Sequence, residues 1–451
     1  MEFEARLTLP NYFELKELEK ISKNRHGNAY YADKIRENFH FRTERHSERV
    51  LEYKNGVYEY GGETTIKEEC EKIIPECSTH KVKEVINIIR RGTYIPKDQG
   101  FGDYKNLLNL KNGILDLDNG NFMKHSPKYF FRIQFPVKYD QSATAEQFMK
   151  FLEQCLPDEK NRTKAIESFA ATLLANKKLE KMFMHTGVGS NGKSTFLYVQ
   201  EEFLGGNNVS NISIHDLLHN RFAKSGLDGK LANIYADISR TEIKELGPVK
   251  AIISGDSIEV ERKNQTAFKM RNMAKLIYSC NELPELGEDT IAVYRRLMLI
   301  EWNQIFISDG PNPVNDELNK ELTTESELSG ILNLLIPVAQ RLMKNGRLSF
   351  EENIEELRTK WGEKSDPIGK FLETCLEQDN VTMTSKADMY EAFRQWCLRN
   401  NNTPKTQRDF NAKLSEYFII SGSNRRINGK STRVWDGIRI IPVTNVTAVT
   451  A

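Results

Sequence analysis

Hydrophobic and polar positions change rhythm several times along the 451 residues of this chain. Helical spacing marks Ala32 to Asn38 and the stretch KVKEVINIIRR from Lys81 to Arg91. Between them RVLEYKNGVYEY alternates around Asn55-Gly56, which predicts a hairpin and, with the helices, a small α+β domain over residues 1–104. Next, LLNLKNGILDLDNGNFMKHS carries two turn signals, Asn112-Gly113 and Asn119-Gly120. It leads through FFRIQFPVKYD into a helical pattern reaching Ala175, so residues 105–175 read as hairpins and a helical collar. From 176 to 350, strand-like runs (MFMHT, KLANIYADIS, AKLIYSCNE, RRLMLIEW) alternate with helical segments. That alternation predicts a mostly parallel sheet covered on both faces. Beyond Asp366-Pro367, helical patterns near Ile368 to Glu377, Lys386 to Arg399 and Thr406 to Phe418 precede a hairpin at Asn428-Gly429. Three helices with a two-stranded wing predict a winged helix over 366–445.

The strand at Met182 runs directly into Gly187-Val188-Gly189-Ser190-Asn191-Gly192-Lys193-Ser194-Thr195 and then into a helical pattern. Glycines let backbone N–H groups wrap phosphates, the Lys193 ammonium reaches the outer phosphate oxygens, and the Ser194 hydroxyl suits Mg²⁺. The following helix offers its N-terminus to the same anion. A Gly-rich turn without this chemistry would leave Lys193 unexplained, so a nucleoside triphosphate with Mg²⁺ is the expected ligand.

Two other sets of residues bear on the chemistry. LANIYAD ends a strand at Asp237, where a carboxylate reaches the metal shell, and SCNELP ends another at Asn281, placed to orient water or sense the outer phosphate. Asp116 and Asp118 share one face of a strand, as paired metal ligands do, but they also flank the Asn119-Gly120 turn, where Asp serves backbone hydrogen bonding. The turn reading is preferred.

Composition narrows the class. With 39% hydrophobic and 28% charged residues the chain reads as an ordinary globular protein of several domains. No apolar run is long enough to span a bilayer, and the acidic start MEFEARLTLP lacks the basic-then-apolar form of a signal peptide, so work inside a cell, in the cytoplasm, is expected. Six scattered cysteines lack zinc-site spacing and are expected as free thiols. A net charge of +1 excludes a uniformly basic coat but leaves local patches for nucleic acid. Candidates are Arg42, Arg45, Arg90 and Arg91 near the start, Arg262 and Lys263 at the tip of a hairpin in VKAIISGDSIEVERKNQTAFKM, and a C-terminal surface. That surface takes Lys405, Arg408 and Lys413 from the third helix, and Arg425, Arg426, Lys430 and Arg433 from the wing.

GVGSNGKST, LANIYAD, VKAIISGDSIEVERK, SCNELP and VYRRLMLIEW, in this order and spacing, resemble superfamily 3 helicases of the phage, plasmid and poxvirus helicase-primase type, over roughly residues 105 to 345. The resemblance implies an AAA+ core in a homo-oligomeric ring, expected hexameric. It implies hydrolysis of ATP with Mg²⁺ at subunit interfaces and 3′ to 5′ movement on single-stranded DNA, with a hairpin near Lys263 in the pore. It makes Lys193, Asp237, Asn281 and the finger arginines Arg295 and Arg296 catalytic. The family places a second acid after the metal-binding one; here Ile238 follows Asp237, which leaves Glu242 as a weak candidate base. A separate primase or polymerase partner is implied. The alternative is an ATP-dependent initiator or loader that binds an origin without processive unwinding.

Overall fold

The computed structural model describes residues 27–441 apart from 46, 97–105, 175–178, 240, 265, 307–314, 316, 401, 403 and 428–429. The chain divides into two compact units at Tyr139/Asp140, inside the 105–175 stretch that the sequence pattern groups together.

In the first unit α1 (Asn28–Asn38) precedes an antiparallel sheet, β1 (Phe41–Thr43), β2 (Val50–Lys54) and β3 (Val57–Tyr60), followed by α2 (Gly62–Ile73) and α3 (Thr79–Gly92). Ala32, Ile35, Phe41, Ile66 and Val85 meet in its core. Asn55 and Gly56 both have positive φ (50° and 98°), the mirror turn expected of Asn-Gly. A second antiparallel sheet holds β4 (Leu107–Leu110), β5 (Gly113–Asp116) and β6 (Phe122–Met123). Here the β4–β5 loop is Lys111-Asn112 rather than Asn112-Gly113, because Leu110 pairs with Gly113. Gly113 is required for space: a Cβ there would sit 2.5 Å from the Phe122 ring. FFRIQFPVKYD forms no strand among the described residues, although Phe130, Phe131, Phe135 and Val137 are buried.

Of the basic and acidic candidates of this unit, Arg91 is exposed and the others are engaged locally. Arg42 lies over the Phe130 ring, Arg45 donates to the Ile95 carbonyl at 2.7 Å and Arg90 pairs with Glu63. Asp116 Oδ1 accepts from the Asp118 backbone and Oδ2 from Asn119 Nδ2, while Asp118 accepts from Asn106. These are the bonds of a turn, as expected.

The second unit opens with α4 (Glu146–Cys155) and α5 (Glu159–Ala171), the latter capped by Asp158; Ala175, the expected end of this helical stretch, lies outside the described residues. Its sheet comprises β7 (Met182–Thr186), β8 (Val209–Ser210), β9 (Ala232–Tyr235), β12 (Lys275–Cys280) and β13 (Leu297–Glu301), in the order β13-β7-β12-β9-β8. Every neighbouring pair is parallel. The inner strand β7 is buried at all five positions, which is why these segments read as continuous apolar runs. Interleaved are α6 (Lys193–Leu204), α7 (Ile214–His219), α8 (Gly247–Ser254), the antiparallel hairpin β10 (Ser257–Val260) and β11 (Phe268–Arg271), and the short α9 (Ile291–Tyr294).

After β13 come α10 (Leu318–Leu322), the long α11 (Glu325–Asn345) and α12 (Ile354–Ser365). The remainder is α13 (Pro367–Cys375), β14 (Leu376–Ser385), α14 (Lys386–Arg399), α15 (Gln407–Tyr417), β15 (Ser421–Ile427) and β16 (Lys430–Ile440). Its sheet is three-stranded, β14-β16-β15, where the sequence predicts a two-stranded wing. β14 escapes the pattern because LEQDNVTMTS is mostly polar and its register with β16 shifts between Gln378 and Met383. All six cysteines are free thiols, five of them buried. No helix among the described residues is long and apolar enough to cross a membrane.

Candidate nucleotide site

The site forms where parallel strands end together. β7 and β12 pair in register up to Thr186↔Cys280, so Gly187 and Asn281 leave the sheet side by side; β9 pairs with β12 as far as Tyr235↔Tyr278, two residues before Asp237. Ligands of open α/β sheets bind at this carboxyl edge.

The loop from Gly187 to Gly192 is held by tertiary contacts. Gly189, Ser190 and Gly192 have φ of 99°, 46° and 88°, and α6 starts at Lys193. Asn191 Nδ2 donates to the Trp302 carbonyl at 3.0 Å, and the Phe306 N–H donates to the Ser190 carbonyl at 2.7 Å, so the segment that leaves β13 braces the loop. A Cβ at Gly187 would stand 2.2 Å from that Trp302 oxygen, and one at Gly192 would stand 2.5 Å from Cys155 Sγ. Both glycines are therefore demanded by close approach, and α6, like any helix, begins with N–H groups that have no partner within the helix itself.

Lys193 is 4% exposed. Its ammonium donates to the Gly187 carbonyl at 2.6 Å and Asn191 Oδ1 at 3.1 Å, and lies 3.5 Å from Asn281 Oδ1. Burial pulls its pKa down to about 8, with the nearby Asp237 carboxylate opposing the shift. Under the loop, buried His185 accepts from Trp302 Nε1 at 3.0 Å through Nδ1, which puts its proton on Nε2. Burial, and then the charge of Lys193, push its pKa down to about 3, so this ring stays neutral. Ser194 and Asp237 are exposed, and Asp237 takes the strained left-handed backbone (φ 60°). That bend sends the next side chain inward: Ile238 is 4% exposed and packs in the core of the unit. An acid at this position would be buried among apolar groups, which gives a physical reason for the departure from the family pattern. Glu242 is exposed and lies against Gly287, beside the bridge of Ile243 to Leu286.

The two candidate finger arginines have different surroundings. Arg296 donates to Ser254 Oγ at 2.9 Å and to the Ala292 carbonyl at 2.7 Å, whereas the Arg295 side chain is exposed. At the hairpin tip Arg262 pairs with Asp228 at 2.7 Å and lies over the Phe268 ring, leaving Lys263 exposed in the turn; Gln265 lies outside the described residues. In the C-terminal part Lys413 pairs with Asp366, and Arg425 lies near Asp436 at 3.9 Å. Arg408, Arg426 and Arg433 are exposed; Arg426 and Arg433 share one face of the β15–β16 ribbon, since Asn424 pairs with Arg433. Lys430 opens β16, and its side chain, like the turn Asn428-Gly429, lies outside the described residues. Lys405 precedes α15 instead of lying on it and pairs with Glu282.

Sequence reasoning missed Asn191 as a brace, Trp302, His185 and the Cys155–Phe151 floor under Gly192. Only the Trp at the end of RRLMLIEW offered a signal, being a large aromatic directly after a buried strand.

Three family models match the chain: "D5 N terminal like" over residues 18–157, "Family of unknown function (DUF5906)" over 185–296, and "Poxvirus D5 protein-like" over 363–438. Among curated proteins it is similar to "Putative helicase 121R" of Invertebrate iridescent virus 3, at 22% identity over 65% of this chain and 35% of that one. It is also similar to "Putative helicase L207/L206" of Acanthamoeba polyphaga mimivirus, at 24% identity over 66% and 33%. The chain thus spans about a third of the length of these relatives. The solved structure of the NrS-1 C terminal region shares its fold with a TM-score of 0.50, at 13% identity over 91% of this chain and 99% of that one. With D5-type matches on both sides of the phosphate loop and helicase-named viral relatives, the chain is similar to viral helicases of the superfamily 3 helicase-primase type.

Proposed function

We propose that this chain is the motor of a replicative DNA helicase from a virus, phage, plasmid or mobile element, acting in the cytoplasm of a prokaryotic or infected cell. In this reading residues 176–350 are an AAA+ core that assembles into a hexameric ring. It hydrolyses ATP between subunits and moves 3′ to 5′ on single-stranded DNA, next to a separate primase or polymerase. Residues 366–445 are a winged helix. The observation that carries the reading is Lys193, a buried ammonium set between Gly187, Asn191 and Asn281 at the mouth of a parallel sheet and the start of α6.

Each residue then has a role. The backbone from Gly187 to Thr195 wraps the phosphates, and Lys193 carries charge to the outer one. Asn281 orients the attacking water. Arg295, exposed and unpaired among the described residues, reaches the neighbouring subunit's site, while Arg296 holds α9 against Ser254. Mg²⁺ fits this donor set in one way: Ser194 and Asp237 would supply two oxygens, with nucleotide phosphates and waters supplying the rest, as is usual for this ion. Among the described residues no group of three His, Cys, Asp or Glu side chains could hold a metal on its own. Bound there, the ion would offset the charge of the phosphates. Lys263 contacts DNA in the pore, with Arg262 fixing the hairpin on Asp228. Arg408, Arg426 and Arg433, with Arg425, Lys413 and Lys430, are the DNA-binding residues of the winged helix.

The test is nucleotide turnover by wild type and Lys193→Ala. Loss of activity in a variant that melts like wild type is expected; normal turnover would refute the assignment.

A further inference from the structure

Beside the point where Lys193 meets Asn281 there is a cleft of roughly 290 Å³, and its far wall belongs to the C-terminal part of the chain. Gly187, Asn281 and Glu282 line one side; Lys364, Asn402 and Lys405 line the other. Two further lysines thus converge on the phosphate loop. Lys364 is committed to Glu301 at 3.1 Å. Lys405 pairs with Glu282, the residue next to Asn281. The carboxylate that holds Lys405 is thus the chain neighbour of a side chain that approaches Lys193.

The backbone that presents Lys405 is fixed. Tyr390 Oη donates to the Lys405 carbonyl at 2.8 Å, and Asn402 Nδ2 donates to the Glu363 carbonyl at 3.0 Å. The opposite wall is tied to the same body, since buried Trp361 of α12 donates to the Pro284 carbonyl at 2.9 Å and Arg358 pairs with Asp289. The loop that follows Asn281 is therefore gripped at Glu282, Pro284 and Asp289 by side chains from 358 to 405. The Lys405 side chain is 14% exposed and the Glu282 side chain 36%, so the pair is screened only partly by water and a polyanion in the cleft would compete with Glu282 for the ammonium.

We propose that Lys405 reads the terminal phosphate of the bound nucleoside triphosphate: its ammonium leaves Glu282 for the γ-phosphate oxygens and returns when only a diphosphate remains. This rests on the nucleotide reading above. It makes the winged-helix part, assigned from sequence to DNA contact, a component of the phosphate site, with Glu282 as the competing carboxylate. No bond forms or breaks in the exchange.

The experiment measures Kd for ATP and for ADP, with Mg²⁺, on the full chain by isothermal titration. Lys405→Met is expected to weaken ATP about tenfold, the scale of one charge-assisted contact, and to leave ADP unchanged. Glu282→Gln, which frees the ammonium, is expected to strengthen ATP over ADP. The exchange Lys405→Glu with Glu282→Lys rebuilds an ion pair but takes the cation off the C-terminal wall; it should melt like wild type and still lack the preference for ATP. Equal effects of Lys405→Met on ATP and ADP, no effect on either, or recovery of the preference in the exchanged pair would overturn the proposal. Failure of the nucleotide reading looks different: wild type would bind neither ligand, or Lys193→Ala would bind both as wild type does.

Discussion

Raising the pH from 7 to 9 should weaken ATP binding about tenfold through Lys193 alone. Desolvation dominates at this residue: its three oxygen neighbours, at 2.6, 3.1 and 3.5 Å, do not make up for lost water, and its pKa falls to about 8. The Cys280 thiol, pushed up to about 12 by burial, is neutral throughout this range, so Asp237 is the nearby anion that opposes the shift. The sign follows from the proton count. Free Lys193 is mostly cationic at pH 7 and about one-tenth cationic at pH 9, while the bound form, facing phosphate, keeps its proton through that range. Binding above pH 8 must then take up one proton, and apparent affinity falls about tenfold per pH unit, or about 1.4 kcal/mol. The assay is titration with fluorescent ATP at pH 7, 8 and 9 at fixed ionic strength and Mg²⁺. Calorimetry in two buffers of different ionisation enthalpy counts the proton. Lys193→Arg, always charged, should bind more weakly but lose the pH step. A flat wild-type profile, or the same slope in Lys193→Arg, would refute the reasoning.

Other outcomes follow from particular contacts. Arg295→Ala subunits mixed with wild type should depress ATPase activity more than in proportion while melting normally; Arg296→Ala should lower stability by about 1 kcal/mol through loss of its bonds to Ser254 and Ala292, read by chemical denaturation. Gly330→Ala should destabilise by about 3 kcal/mol or prevent folding, because its Cβ would stand 2.1 Å from the Thr144 carbonyl carbon, in backbone that cannot give way; the check is thermal melting. Gly192→Ala combines a φ of 88° with a clash on Cys155, so both nucleotide affinity and melting temperature should fall. Lys263→Ala should leave basal ATPase activity intact and remove its stimulation by single-stranded DNA.

What could be read from the sequence follows from where each constraint acts. β7, β12 and β13 were legible because strands buried on both faces must be apolar throughout, and the phosphate loop because its glycines and Lys193 sit together in the chain. The turn at Asn55-Gly56 was legible for the same local reason. α2 escaped because GETTIKEECEKI buries only Gly62, Ile66 and Cys70, too thin a stripe to stand out. β14 escaped because its partner β16 lies far along the chain and its own residues carry turn signals. In the site, Asn191 bracing Trp302, His185 held neutral under the loop, and Ile238 turned inward by the bend at Asp237 all depend on tertiary contacts. The same holds for the different surroundings of Arg295 and Arg296, which as adjacent arginines look alike in sequence.

The central claim, a DNA-dependent ATP motor, is tested most directly by steady-state ATP hydrolysis with and without single-stranded DNA, measured beside unwinding of a forked duplex with defined tails. Turnover stimulated by DNA and coupled to strand separation, with the 3′ tail required, is the predicted result. ATP binding with neither stimulation nor unwinding would contradict it and leave an origin-binding initiator as the better account of Lys193 and the exposed arginines of the C-terminal ribbon.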